Sequence, residues 1–584
     1  MATRGWPGLG PVFAYEWLTA SRRWQGYALR ALLVTLLGIG LTAVWIGGRD
    51  DAGEMSLKQQ ADVGRGFYVV TTFLVLGLVG LVAPAATAGA ICVDKARGSL
   101  TLLLTTHLTD SEIVLGKLAA RLLPVLGLIA CAAPVQSLAT TLGGVDPAQV
   151  FGAILVCLAC AIFGCSLALT LSVWGRKTHE VILATYALGI LYLLLAPIWA
   201  AFFPTITGLA RPGWVPGPMA LLPYNPVFLV FAPLGSPPIG PIGLEAQARF
   251  LGIGLMASML LVVASIWRIR HVVVHQAGRR GATRWAGWLP RILRGPFARL
   301  SRPSPWLSPS LDGNPVLWRE RQRRRPSAWS AAIWGLYGLI SGVASLWSIV
   351  EIVHGNVMAM ELGAVINGVQ VSAGLLLLSV SAATSLAEER QRGSLDVLLA
   401  SPLSTREIVM AKWRGALRGV FPLTILPMLV AGAEVTRTGL AIGPFLIGGL
   451  IVAYGAAITS LGLALATWLP GLGRAIGLSA GLYVGVLIAA IPAGNLLGPG
   501  PDRLGFASAG PFMGVGYSTS VFGGNFGAPM VEAQSIWIVV WIVTYGLVAL
   551  GLLVATLRTF NRCLGRVDDP TQDGRPLARR GLEG

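Results

Sequence analysis

Apolar runs long enough to cross a bilayer recur from one end of this chain to the other. They lie near 27–47, 67–91, 118–142, 148–174, 181–206 and 248–269, then near 328–350, 369–387, 416–435, 444–468, 476–496 and 536–557. Each can span about 30 Å of hydrocarbon as a helix. Only 12% of the 584 residues are charged, against about a quarter in a soluble domain, and 54% are apolar. A soluble enzyme, a disordered chain and a fibrous protein are excluded. So is an outer-membrane barrel, whose strands would alternate over about 10 residues. The expected fold is an all-α polytopic integral membrane protein of twelve transmembrane helices. The first run is too long for a cleaved signal peptide, and no small-residue cleavage site follows it.

The net charge of +18 would suggest nucleic acid in a soluble protein. Here its distribution has a different meaning. With the N-terminus in the cytoplasm, the inner segments carry 35 Lys and Arg and the outer loops six. Without the long basic segment 268–325 the ratio is still 21 to six. The positive-inside rule therefore puts both termini in the cytoplasm. Segment 268–325 holds fourteen Arg and two acids, Asp312 and Glu320, with Trp285, Trp288 and Trp306 among them. It cannot span, and it reads as a cytoplasmic linker resting partly on anionic headgroups.

The chain is also an internal repeat. Aligning Arg97–Lys117 with Arg392–Lys412 without a gap gives 11 identities in 21 positions, where composition alone gives about two. Pro11-Val12 with Glu16 returns as Pro315-Val316 with Glu320. Each half has a charged inner loop after its second span and a Gly/Pro-rich outer loop before its sixth, 207–245 and 497–535. Six is even, so the halves share one orientation and form two parallel six-helix repeats. The expected divisions are 1–267, the linker 268–312, 313–557 and a cytoplasmic tail 558–584.

The inner loops 92–117 and 388–412 are the most informative stretches. Gly98 and Gly393 permit a break after the second span. Ser99–Leu104 and Ser394–Leu399 then form a short apolar segment, and Pro402 ends the second copy. Thr109-x-x-Glu112 and Ser404-x-x-Glu407 fit the capping box, so a new helix starts at each. The expected product is a short helix, a turn and a capped helix start, twice over. Either it packs only on its own bundle or it presents a docking surface. Two equal elbows suit a partner with two equal sockets.

The pattern of an acidic-basic pair, then R-G-S-L-x-x-L-L, a Pro-Leu step, a hydroxyl residue and E-I-V with a final Lys resembles the inner loop of type-2 ATP-binding-cassette (ABC) exporter permeases. The resemblance implies that this loop docks on an ATPase subunit. It carries that role to Arg97, Gly98, Ser99, Leu100, Leu103, Leu104, Leu108, Glu112 and Lys117. In the second half it carries it to Glu389, Arg392, Gly393, Ser394, Leu395, Leu398, Leu399, Pro402, Leu403, Glu407 and Lys412. Leu398 and Leu399 are expected to face the partner, and Lys117 and Lys412 to sit at the inner membrane boundary. The resemblance also implies a connecting helix before each first span, over 11–24 with Pro11 and Glu16 and over 315–325 with Pro315 and Glu320. It implies re-entrant outer loops and two ATP-binding subunits as partners, with ATP and Mg bound there. Two departures stand out. Both halves are fused in one chain, and His107 stands where the second half has Pro402.

The sequence has no G-x-x-x-x-G-K-[ST] of its own; the nearest string, Gly175-Arg176-Lys177-Thr178, lacks the Gly before Lys. No catalytic residue is expected in this chain, nor a metal. Cys157 and Cys160 share a span with no His or acid and read as small apolar filler. Glu180 and Glu434 fall near span ends, and few ionisable residues sit deep in any span, which disfavours ion coupling. Gly477, Gly481 and Gly485 would let helices approach closely. The function expected is the permease of an ABC exporter in a plasma membrane, the bacterial inner membrane. The alternatives are an ion-coupled carrier and a non-transporting membrane scaffold. The cargo is not encoded legibly.

Overall fold

The computed structural model describes residues 10–22, 24–47, 56–175, 177–207, 221–231, 243–278, 328–355, 357–391, 394–401, 403–438, 441–469, 471–495 and 501–565. Among these the regular structure is entirely helical. The first half contains α1 (Gly10–Ser21), α2 (Trp24–Gly47), α3 (Leu57–Thr87), α4 (Gly89–Arg97), α5 (Ser99–Leu104), α6 (Asp110–Leu142), α7 (Pro147–Trp174), α8 (Thr178–Thr207), α9 (Pro226–Phe231) and α10 (Leu244–Gly278). The second contains α11 (Ala328–Val353), α12 (Val357–Gln391), α13 (Ser394–Leu399), α14 (Thr405–Leu417), α15 (Phe421–Thr438), α16 (Gly443–Trp468), α17 (Leu472–Asn495), α18 (Pro501–Ala507), α19 (Pro511–Ser520) and α20 (Ala528–Leu564).

Helices occupy all twelve expected segments. Among the described residues nine are long and apolar enough to cross a membrane by themselves, or ten if the bent pair Gly10–Ser21 and Gly26–Thr42 is one span. Thr178–Leu193 and Leu472–Leu487 are apolar but shorter. Two helices outrun the expected divisions. α10 continues to Gly278 and α20 to Leu564, so each sixth span extends into its basic segment.

The helix starts follow local chemistry. Ser56, Thr109, Asp146 and Ser404 each accept a backbone N–H of their own first turn, and the Gln or Glu three residues on reaches back to the cap N–H. The halves differ in the third span. It is one helix, α6, in the first half, but α14 and α15 in the second. The break falls at Arg418–Val420, just before Pro422, which has no N–H for the ladder.

In hydrocarbon no hydrophobic drive pulls helices together, so close packing and polar ties do it. One core is built from first-half residues such as Phe67, Ile113 and Val156. A second joins the halves, with Leu81 and Ile182 packing in the same cluster as Leu375 and Ile476. Tyr186 on α8 donates to the carbonyl of Leu81 on α3 at 2.8 Å. Tyr483 on α17 donates to that of Ser372 on α12, also at 2.8 Å. These tyrosines are the same feature in the two repeats, fifth span to second span.

Short helices fill part of each Gly/Pro-rich outer loop and are tied from below. Tyr68 on α3 donates to the carbonyl of Val230 at 3.1 Å, and Gln247 on α10 to that of Leu229 at 3.2 Å. In the second half Gln534 on α20 donates to the hydroxyls of Ser508 and Ser518, each at 2.9 Å. Asn367 on α12 donates to Thr519 at 3.2 Å. The glycine stripe of α17 behaves differently from expectation. A Cβ at Gly477 would reach Ala85 at 3.9 Å, but among the described residues Gly481 and Gly485 have nothing within 4 Å. Close approach is confined to the Gly477 end.

Candidate functional site

The inner loops of both halves gather at one end of the bundle, and each forms the expected elbow. α5 and α13 are six-residue helices at matching positions. Gly98 has φ +76, a left-handed turn open to glycine at no steric cost, and it breaks α4 from α5. The capped starts of α6 and α14 follow. Arg392, Gly393, Pro402, Pro315 and Glu320 lie outside the described residues.

The acidic-basic pair that precedes each elbow has two separate duties. Lys95 donates to the carbonyls of Val173 and Gly175 at 2.8 and 2.5 Å. Its counterpart Arg390 donates to those of Thr467 and Leu469 at 3.3 and 3.4 Å. Each cation therefore sits on the last carbonyls of its half's fourth span, α7 or α16, where the helix dipole favours positive charge. The acidic member faces the other way. Asp94 pairs with Lys117 at 2.5 Å and accepts from the Ser99 hydroxyl at 3.1 Å. Glu389 pairs with Lys412 at 2.8 Å.

These lysines are buried, 3% and 2% exposed, on helices that start at solvent. Lys117 also meets Glu16 of α1 at 2.5 Å, and Glu16 in turn meets Arg121 at 3.0 Å. The connecting helix, the end of the second span and the start of the third are thus clamped on one ammonium. Removing one partner of a buried pair costs about 3–5 kcal/mol, because it strands a charge. Lys117 and Lys412 are positioning residues. They fix the base of the elbow and present nothing outward.

The outward face of each elbow is narrow. Leu100, Leu395 and Leu398 are buried, at 0%, 2% and 7%, while Leu103, Leu104, Leu108, Leu399 and Leu403 are half-buried and packed on the cores. Among the described elbow residues the exposed large apolar side chains are Leu102 and Val397, at 70% and 76%. They occupy the same position in the two repeats. Leu398, expected to face outward, is turned into its own bundle instead, and an Asp there would bury a charge. Leu102 and Val397 were not singled out by the sequence because the run of leucines hides which one points away. Their cue was register, two residues after the buried Leu100 and Leu395. Arg97, Gly98 and His107 are exposed beside the first elbow, and Arg406 and Glu407 beside the second.

The helices that follow the elbows are tied to the sixth spans. Arg270 of α10 bonds Asp110 of α6 at 3.2 Å, and Thr405 of α14 donates to Asn561 of α20 at 2.7 Å. α1 lies along the start of α6 and leaves Tyr15 and Leu18 exposed by 74% and 55%. That pattern suits a helix resting in the headgroup layer.

Residues 12–234 match the family model described as ABC-2 family transporter protein. Among curated proteins, none matches the chain.

Proposed function

We propose, from the match of residues 12–234 to the ABC-2 family transporter model, that this chain carries both halves of the permease of an ATP-driven exporter. Residues 313–557 repeat the matched half and supply the second permease unit. The chain is a multi-pass membrane protein and the membrane component of an ABC transporter. ATP with Mg is hydrolysed on separate ATP-binding subunits, two per chain, seated under the elbows. The elbow end faces the cytoplasm, as the excess of Lys and Arg in the inner segments requires. The bacterial inner membrane is the setting proposed.

One observation carries this reading. Leu102 and Val397 stand exposed at one register on two elbows whose bases are locked by buried lysines. An elbow locked at its base transmits movement of a socket to the span behind it. Asp94–Lys117 and Glu389–Lys412 bridge the second and third spans of each half, so a displaced elbow takes both spans with it.

The test is co-purification from the native host in mild detergent, with ATP hydrolysis assayed on the complex. Leu102→Asp and Val397→Asp together should abolish retention of ATP-binding subunits while leaving the permease folded. Undiminished retention by the double variant would remove the docking role. A second reading, the ion-coupled carrier, is favoured by Glu434 alone. Glu434 is 1% exposed on α15, and among the described residues neither carboxylate oxygen has a hydrogen-bond partner. A buried acid without a partner inside a span is a functional candidate. Transport in vesicles driven by a pH gradient without ATP, and lost in Glu434→Gln, would establish that reading instead.

A further inference from the structure

The halves meet along two seams. α8 of the first half packs on α11 and α12 of the second, and α17 of the second packs on α2 and α3 of the first. The α8 seam contains a cavity of about 180 Å³. Ala187 and Leu191 line it from α8, Ala344 from α11, and Ala373 from α12. Its lip is Leu362 and Val365, exposed by 37% and 48%.

Among the described residues no charged side chain lines this space. The main polar groups in the wall already have partners. Tyr337 donates to the carbonyl of Gln370 at 2.9 Å. The Gln370 side chain accepts from Ser345 at 3.0 Å and donates to Asn367 at 2.8 Å. These groups are engaged along the helices, so they ask nothing of a guest. A water needs two to four polar partners, and apolar cavities near this size stay dry and take apolar guests. At about 30 Å³ per water, the space equals that of roughly six waters, or a short length of hydrocarbon chain. The lip lies on apolar flanks of spanning helices, where the surrounding medium is itself hydrocarbon chains.

We infer that the α8 seam binds a single hydrocarbon chain of a membrane amphiphile, entering past Leu362 and Val365. The site recognises chain rather than headgroup, because among the described residues no charged side chain lines it and Tyr337 and Gln370 are already engaged. The inference goes beyond the exporter reading and does not need it, since binding to this chain alone requires no ATPase.

The experiment uses the full chain in phosphatidylcholine nanodiscs with two probes in separate arms. One is phosphatidylcholine bearing a diazirine on one acyl chain; the other is free palmitate bearing the same group. After photolysis the labelled peptides are identified by mass spectrometry. Saturable labelling near Ala187–Leu191 and Ala344, approaching one chain per protein, is expected from at least one probe. The arm that labels identifies the source as bilayer phospholipid or free fatty acid. Ala344→Phe should lower seam labelling about tenfold, the equivalent of two buried methylene contacts. If that variant fails to fold, Ala187→Leu provides a smaller filling substitution with the same direction. Labelling spread evenly over all lipid-facing helices, or seam labelling indifferent to a folded filling variant, would overturn the site. Neither result bears on elbow docking, which the co-purification assay reads separately.

Discussion

The two seams between the halves are built from the same repeat and have come out differently. At the elbow end of the α8 seam, Lys177 meets Glu388 across the halves at 3.4 Å and Glu180 within its own half at 3.6 Å; His179 lies 3.8 Å from Glu388. Further along the same seam lies the apolar cavity. At the α17 seam Gly477 faces Ala85, and the helices lie closer at that end. Aligning the fifth spans on Tyr186 and Tyr483 puts Arg474 at the place of Lys177. Aligning the loops puts Val93 at the place of Glu388. Arg474 is exposed at that end. One acid, present in one repeat and not in the other, gives the molecule an ionic latch on a single side. Duplication supplied a shared architecture, and single substitutions made it unequal.

The largest effect expected from perturbing this comparison lies at the elbow bases. Lys117→Met strands Asp94, leaves Glu16 with Arg121 alone and should lower stability by about 3–5 kcal/mol. Thermal unfolding in detergent measures it. Adding Asp94→Leu and Glu16→Leu should return most of the loss, because the charges then disappear together. A triple variant as unstable as the single one would show that Lys117 acts by its packing alone.

Next in size are the helix starts. Thr109→Ala and Ser404→Ala each remove a side-chain cap and should cost about 1 kcal/mol. The two capping boxes have matching geometry, so the two losses should be equal. Unequal losses would indicate that one elbow is braced by contacts other than its cap.

The smallest effect is the most direct on the seams. Glu388→Val should remove the latch at a cost of at most about 1 kcal/mol, since these groups are partly exposed. Val93→Glu should install a second latch opposite Arg474. Cysteine pairs placed across each seam would report the change as a shift in cross-linking rate. If Glu388→Val leaves the rate at the α8 seam unchanged, the latch does not hold the halves. The direction is then set by packing.

Much of the elbow was legible in the chain. Ser99–Leu104 and Ser394–Leu399 are helical over the bounds expected, and both capping boxes form. These features depend on residues within four positions of one another. The Asp94-Lys95 and Glu389-Arg390 pairs were visible as a pattern, but their partners were not. Lys95 answers carbonyls 78 and 80 residues away. Lys117 reaches Glu16, 101 residues back. Among the described residues nothing stands within 4 Å of a Cβ at Gly481 or Gly485, and spacing alone cannot say what lies opposite a helix face. Glu434 was placed near a span end by hydropathy, and its burial came only from the helices folded over it.

The apolar runs, the charge bias and the 21-residue echo were enough to establish an all-helical membrane chain made of two like halves. Those are properties of composition and local order, and the bilayer acts on them directly. Which leucine of an elbow faces outward, which seam is latched and which is hollow were decided by tertiary contact. They depend on what one helix meets across a gap, and a linear pattern does not record the other side of the gap.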